Sequence, residues 1–359
     1  MSAEGDVGST GKTHIDAGRL ESTREFTSGS CQIDNGGSIR DSDGPILASA
    51  PECATPTTTI PSYSLPPGAA PNVVGSWSAC NASVRTFQPG YYAGNAALNA
   101  LNNNCALAYF APGIYWFNFD GQWVTQNTKV VAGATTAPPS TVNMATACPS
   151  PFTTPTANAG VIFVFGGNAR WRLGNGGQAA VCAALSQIPN QPPFALFGVT
   201  STVTGTAGTI SPPTSTSCIR RDKDAPGNQA CATFQTINHN DIKLYLNGAT
   251  YLPHGWVDLD LRGSADQYIV GGLVVRQFQL FSPASATLPE PLSSGPLPAG
   301  GPGGARTVVY LTVYVCPGGG SCASGGSLRL KVKVGIGDPS GLPTPGSRVV
   351  TVYSWSVQR

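Results

Sequence analysis

The hexapeptide Phe87-Gln88-Pro89-Gly90-Tyr91-Tyr92 is echoed by Phe110-Ala111-Pro112-Gly113-Ile114-Tyr115, displaced by 23 residues. Such a displacement suits one coil of a wound β-structure, in which each short repeat buries its apolar face only by stacking on its neighbours. A looser echo is Tyr251-Leu252-Pro253-His254-Gly255-Trp256. A second pair aligns the run from Val161 to Arg170 with that from Tyr268 to Arg276, each an apolar strand, a double glycine and an arginine.

Helical alternatives fail on composition. With 44 Gly and 31 Pro in 359 residues, no window of a dozen keeps a 3.6-residue apolar period free of both, which excludes a helical bundle or a doubly wound α/β domain. A hydrophobic share of 41 % still allows a substantial core. Ile242, Leu244 and Leu246 alternate with Lys243 and Tyr245, and Val257, Leu259 and Leu261 with Asp258, Asp260 and Arg262, so each segment has one buried face. The turns between them are too short for crossover helices. Parallel stacking then requires a right-handed β-solenoid, while antiparallel hairpins, a β-sandwich, satisfy the same turns. The expected fold is all-β: a right-handed parallel β-helix with a small antiparallel C-terminal β-module, and the β-sandwich as the alternative.

The expected organisation is a weakly structured N-terminal segment or first coils over residues 1–70, the solenoid over 71–282, a Pro/Gly linker over 283–305 and the β-module over 306–359. In the module, Val308–Val315, Leu328–Gly335 and Arg348–Val357 read as three strands, with Leu328, Leu330, Val332 and Val334 opposite Arg329, Lys331 and Lys333. Thr135 to Pro155 and Ser201 to Ser217 read as loop insertions held by the neighbouring Cys148 and Cys218.

Ten cysteines without a Cys-x-x-Cys pair, in a Lys-poor chain, indicate disulfides and an oxidising, extracellular or cell-surface compartment. Pairing of sequence neighbours is the simplest connectivity, and Cys316 with Cys322 is the pair the spacing favours most. The balance of 20 basic and 18 acidic residues, with no long run of either, argues against a nucleic-acid partner. No segment approaches the length of a membrane span, and the opening MSAEGDVGST lacks the features of an export signal. No phosphate loop or metal-ligand ladder is present, so no cofactor and no metal is expected.

Two candidate sites remain. Asp258 and Asp260 share one face of a strand about 6.6 Å apart, near the separation of glycosidase carboxyl pairs; the competing reading is an outer face neutralised by Arg262. Tyr92, Tyr115 and Trp123 could form an aromatic surface platform for a sugar or protein, whereas Phe110, Ile114 and Trp116 are expected in the core. His239 and His254 read as turn residues, since no Gly-x-Ser-x-Gly elbow supplies a nucleophile.

Phe87 to Tyr92, Cys105, Phe110 to Phe117, Gly160 to Gly167, Val181-Cys182-Ala183 and the ending Val352 to Val357 resemble a group of large uncharacterised actinobacterial surface proteins. In those, a pilin-like or membrane-anchoring N-terminal helix precedes an extracellular β-helix; the helix has no counterpart here. The resemblance implies secretion or surface anchoring and pilus association, and assigns no functional residue. The expected role is a structural or adhesive surface protein, a candidate component of an extracellular appendage, with a protein or polysaccharide partner and an open oligomeric state. The alternative is a carbohydrate-active enzyme or carbohydrate-binding β-helix protein.

Overall fold

The fold is given by a computed structural model that describes residues 2–4, 7–16, 19–22, 26–34, 38–41, 44–46, 53, 63–81, 83–102, 105–148, 160–183, 193–213, 232–237, 242–260, 266–270, 273–281, 307–315, 328–337 and 349–358. Contacts divide the chain into two units, residues 1–185 with 192–294 and residues 186–191 with 295–359.

The first unit opens with β1 (Ser2–Glu4), β2 (Val7–Asp16), β3 (Arg19–Ser22), β4 (Phe26–Asp34), β5 (Ser38–Asp41) and β6 (Gly44–Ile46). It continues with β7 (Ser76–Trp77), β8 (Val84–Gln88), β9 (Gly90–Ala93), helix α1 (Gly94–Leu101), β10 (Leu107–Phe110), β11 (Gly113–Asn118), β12 (Gly121–Thr125) and β13 (Lys129–Ala132). Then come β14 (Val161–Phe165), β15 (Ala169–Leu173), β16 (Gln178–Cys182), β17 (Phe194–Gly198), β18 (Val203–Gly205) and β19 (Gly208–Ile210). β20 (Phe234–Thr236), β21 (Lys243–Asn247), β22 (Ala249–Asp260), β23 (Asp266–Val270) and β24 (Leu273–Phe281) complete it.

Apart from the antiparallel pairs β5–β6, β7–β8 and β18–β19, these strands pair in parallel, layer on layer, which removes the antiparallel sandwich for this unit. The first ladder runs β8, β10, β13, β16, β21, β23, β1, β3, β5. A second runs β9, β11, β14, β17 and the starts of β22, β24, β2 and β4. A third runs β12, β15, β20 and the ends of the same four long strands, which carry a register shift where the chain passes from one ladder to the next.

The 23-residue echo is a register. Phe87 pairs with Phe110 across β8 and β10, and their rings stack at 4.5 Å and 9°. Each echo turns a corner from the first ladder to the second. Tyr92 Oη donates to the Gln88 carbonyl at 2.6 Å and Tyr115 Oη to the Ala111 carbonyl at 2.7 Å, so each tyrosine clamps the residue ahead of its own Pro-Gly. Gly113 has φ +142°, and a Cβ there would stand 2.4 Å from Pro89 Cγ, which explains the glycine by the close stacking of one corner on another. The same reset changes which residues point inward: Tyr115 and Phe117 join the central core, whereas Trp116 and Ile114 pack outside it. The expected core placement of Phe110 and Trp116 holds, Trp116 in a cluster separate from the central one; Ile114 is only partly buried against that cluster, because alternation was carried through the corner without the shift.

The other echoes have no layer equivalence. Tyr251 lies in the second ladder and Phe87 in the first, while Val161 opens a second-ladder strand and Tyr268 sits in the first ladder. The N-terminal strands likewise do not precede the layer of β8; they extend the opposite end, where β1 pairs β23 and β2 pairs β24. Thr13, Ile15 and Ile39 are fully buried there.

The other end is closed by α1, an unexpected helix whose Ala97, Ala100 and Leu101 cover the core. Arg85 Nη1 donates to the Ala100 carbonyl at 2.9 Å near its C-terminus. Asn102 then acts as a surrogate strand for the edge of β12: its Oδ1 accepts from the Val124 amide at 2.6 Å and its Nδ2 donates to the Gln122 carbonyl at 3.3 Å. Asn102→Ala is expected to lower stability by about 1–2 kcal/mol through these two lost bonds. Denaturant unfolding checks it, and a change within error would show that water replaces the amide.

Three disulfides are formed among the described residues, Cys31–Cys53, Cys80–Cys105 and Cys148–Cys182, each between sequence neighbours in the cysteine order. Cys316 and Cys322, the expected linker over 283–305, His239, Arg262 and Cys218 lie outside the described residues. The second unit contains an antiparallel sheet of β25 (Thr307–Val315), β26 (Leu328–Gly337) and β27 (Val349–Gln358). Its register aligns Leu311, Val332 and Trp355 in one row and Thr312, Lys331 and Ser356 in the next, as the alternation requires.

Candidate functional site

The inside of the stack is aromatic. Tyr92, Tyr115 and Trp123 are at most 1 % exposed and belong to the central core, so they present no platform to solvent. Trp123 stacks on Trp171 at 4.6 Å and 9°, and Phe163 packs edge-on to Trp171 at 5.8 Å. The buried Trp171 Nε1 donates to Thr125 Oγ1 at 3.0 Å. Burial is the main force raising the phenol pKa of Tyr92 and of Tyr115; for Tyr92 the Gln88 and Ser76 carbonyls oppose it.

The folded state therefore holds these phenolic protons more tightly than the unfolded chain. Their contribution to stability is intact below the ordinary phenol pKa of about 10 and is lost progressively as pH rises beyond it. In an alkaline titration followed by phenolate absorbance, Tyr92 and Tyr115 are expected to ionise only together with unfolding. Smooth ionisation of all 11 tyrosines in a folded protein would contradict their burial.

Among the described residues, the outer faces of the first and second ladders are covered by the chain itself. On the first ladder, Leu107, Tyr109, Val131, Ala180 and Tyr245 pack under Met144 and Ala147 of a loop held by Cys148–Cys182. Lys129 Nζ donates to the Val142 carbonyl of that loop at 2.9 Å. On the second, Trp116, Ile162, Val164, Phe197 and Tyr251 pack under Tyr63, Leu65 and the β18–β19 hairpin. Asn118 Nδ2 donates to Tyr91 Oη at 2.7 Å and to the Thr209 carbonyl at 2.9 Å, pinning the hairpin.

The third wall differs in chemistry. Its register sets Val124, Arg172, Gln235, Asp258, Gln279, His14 and Gln32 in one row, with Gln122 beside Arg170 in an adjacent row. Successive members stand about 4.8 Å apart. Gln235 Nε2 donates to Asp258 Oδ2 at 2.9 Å, both residues being 1 % exposed. Arg172 Nη1 donates to Gln122 Oε1 at 3.3 Å. Burial lowers the Arg170 pKa from its ordinary value, with Asp120 opposing.

Of the expected carboxylate pair, Asp258 is thus a buried, amide-bound member of a polar row. The Asp260 side chain lies outside the described residues, and its backbone occupies the next outward position of β22. His254 is exposed where the second and third ladders shift register. The outward Arg170 and Arg172 were legible as the alternation of Ala169–Leu173; Gln235 and Gln279 join them only through parallel register between distant segments. Gln235, Asp258 and Gln279 are buried, so the side chains of this wall that can meet a polar polymer are the partly exposed Gln122, Arg170 and Arg172. Among the described residues no group of three or more His, Cys, Asp or Glu gathers to hold a metal, and no helix is long and apolar enough to cross a membrane. The chain matches no protein-family profile, no curated protein and no solved structure.

Proposed function

We propose that this chain is the body of an extracellular or cell-surface protein with a structural or adhesive role, wound as a right-handed parallel β-helix. The observation that carries the reading is where the apolar residues lie: aromatic rings fill the centre, and two outer walls are sealed by the chain's own loops, one of them fastened by Cys148–Cys182. That distribution serves a rigid body in an oxidising environment. The resemblance to actinobacterial surface proteins points the same way, toward a component of an extracellular appendage.

A second reading, carbohydrate recognition, is favoured by the polar third wall, where Gln122, Arg170 and Arg172 remain partly exposed. A glycan array combined with a reducing-end release assay separates the two. The scaffold role expects no turnover. Sugar release abolished by Asp258→Asn in a protein that remains folded would replace it with an enzyme. Glycan binding lost in Arg170→Ala, without turnover, would make the wall an adhesive site. Alkylation of the unreduced protein is expected to find Cys31, Cys53, Cys80, Cys105, Cys148 and Cys182 unreactive; free thiols at these positions would remove the extracellular assignment.

A further inference from the structure

The layer order is discontinuous in sequence. The layer made by β23 and β24, residues 266–281, is completed by the start of the chain: Thr13 pairs with Phe278, His14 with Gln279, Ile15 with Leu280 and Asp16 with Phe281. The N-terminal strands form a covalent unit, because Cys53, 4 % exposed and in the central core cluster, is bonded to Cys31 of β4. Beyond Cys53, the Tyr63 ring lies 5.3 Å from Phe194 and 5.1 Å from Tyr251. The chain then runs back to the other end, where the Val73 carbonyl accepts from the Tyr91 amide at 2.7 Å and Thr206 Oγ1 donates to the Asn72 carbonyl at 2.8 Å.

From this arrangement we propose that the β23–β24 edge is a docking surface for the N-terminal strands of a second copy of this chain, which joins copies head to tail. The proposal rests on the wound-layer reading above. Three physical points support it. The edge and the segment are each open without the other, since β24 and β2 supply one another's backbone partners and an unpaired edge of this length templates association. The nine residues from 54 to 62 that link Cys53 to the Tyr63 anchor reach about 30 Å when extended, enough to serve either the same body or an adjacent one. During synthesis the segment emerges before its partner layer: the 219 residues from 47 to 265 between them take roughly 10–40 s to make. Through that interval the finished edge of a neighbouring copy is the available partner. The exchange is heterologous, so repetition closes a ring or propagates a filament. At the other end, α1 and Asn102 close the stack, which restricts addition to the β24 side.

The test uses two differently tagged full-length chains, one His14→Cys and the other Gln279→Cys, co-expressed into an oxidising compartment and treated with oxidised glutathione. The expected result is a covalent heterodimer carrying both tags, at least tenfold above a control in which the second cysteine replaces Leu330 in β26. If the double variant His14→Cys/Gln279→Cys closes its bridge within one chain while the two single variants never cross-link, exchange is overturned and the wound scaffold stands. If the double variant forms no bridge of either kind, the N-terminal strands do not lie on β24, and both the exchange and this part of the fold fail.

Discussion

Replacing Trp171 by alanine is expected to lower the stability of the first unit by about 3–5 kcal/mol. Trp171 is fully buried, lies face to face with Trp123 of the layer before and contacts Phe163 of its own layer and Phe234 of the layer after. Its loss leaves a cavity between close-packed rings and strands the Thr125 hydroxyl without its donor. Against a typical domain stability of roughly 5–15 kcal/mol, a loss of this size brings many proteins close to half-unfolded at body temperature. The measurement is urea unfolding of the wild type and the variant, monitored by far-UV circular dichroism. Trp171→Phe retains most of the ring stack and is expected to lose less than half as much. Equal losses would mean that the indole N–H, not the stacking, carries the effect. A loss under 1 kcal/mol would show that the column of rings is not the core.

The second large effect is expected at the loop over the first ladder. Removing Cys148–Cys182 by a paired change to serine frees a 34-residue closure, for which chain entropy predicts a cost of about 3–4 kcal/mol. The distinguishing consequence is local. Leu107, Tyr109, Val131, Ala180 and Tyr245 lose the cover of Met144 and Ala147, so the variant is expected to bind a hydrophobic dye and to be cleaved within residues 135–147. Removing Cys80–Cys105, a closure of 25 residues, is expected to cost a similar amount without exposing that wall. Dye binding by both variants alike would contradict the assignment of the loop as a cover.

Periodicity carried the strand content, the parallel layering and the antiparallel C-terminal sheet, because two-residue alternation and a coil-length echo are local properties. The echo marks only neighbouring, uninterrupted coils. Between Ala132 and Val181, paired across β13 and β16, the chain detours through residues 134–159, so the repeat is present in space but absent from the spacing. The corner glycines reset inward and outward faces, which is why Ile114 lies outside the core expected for it, why Trp116 joins a second cluster and why Tyr92 and Tyr115 looked available to a ligand. The position of the N-terminal strands depends on pairing across more than 260 residues, as between Ala3 and Ile269, and no local signal encodes it. The polar third wall was half visible: Arg170 and Arg172 could be read from one strand, but their relation to Gln235, Asp258 and Gln279 requires the stack.

Everything rests on short apolar strands running in one direction, each flanked by a strand from the layer before and a strand from the layer after. Amide and aromatic nuclear Overhauser contacts in a deuterated, selectively protonated sample measure this most directly. Residues Val130 to Ala132 are expected to contact Ala108 to Phe110 on one side and Ala179 to Val181 on the other, in the same sequence order on both, with the Phe110 ring touching those of Phe87 and Phe163. Contacts in reversed order, or to a single neighbouring strand joined by a hairpin, would contradict the parallel stack and return the chain to two facing antiparallel sheets.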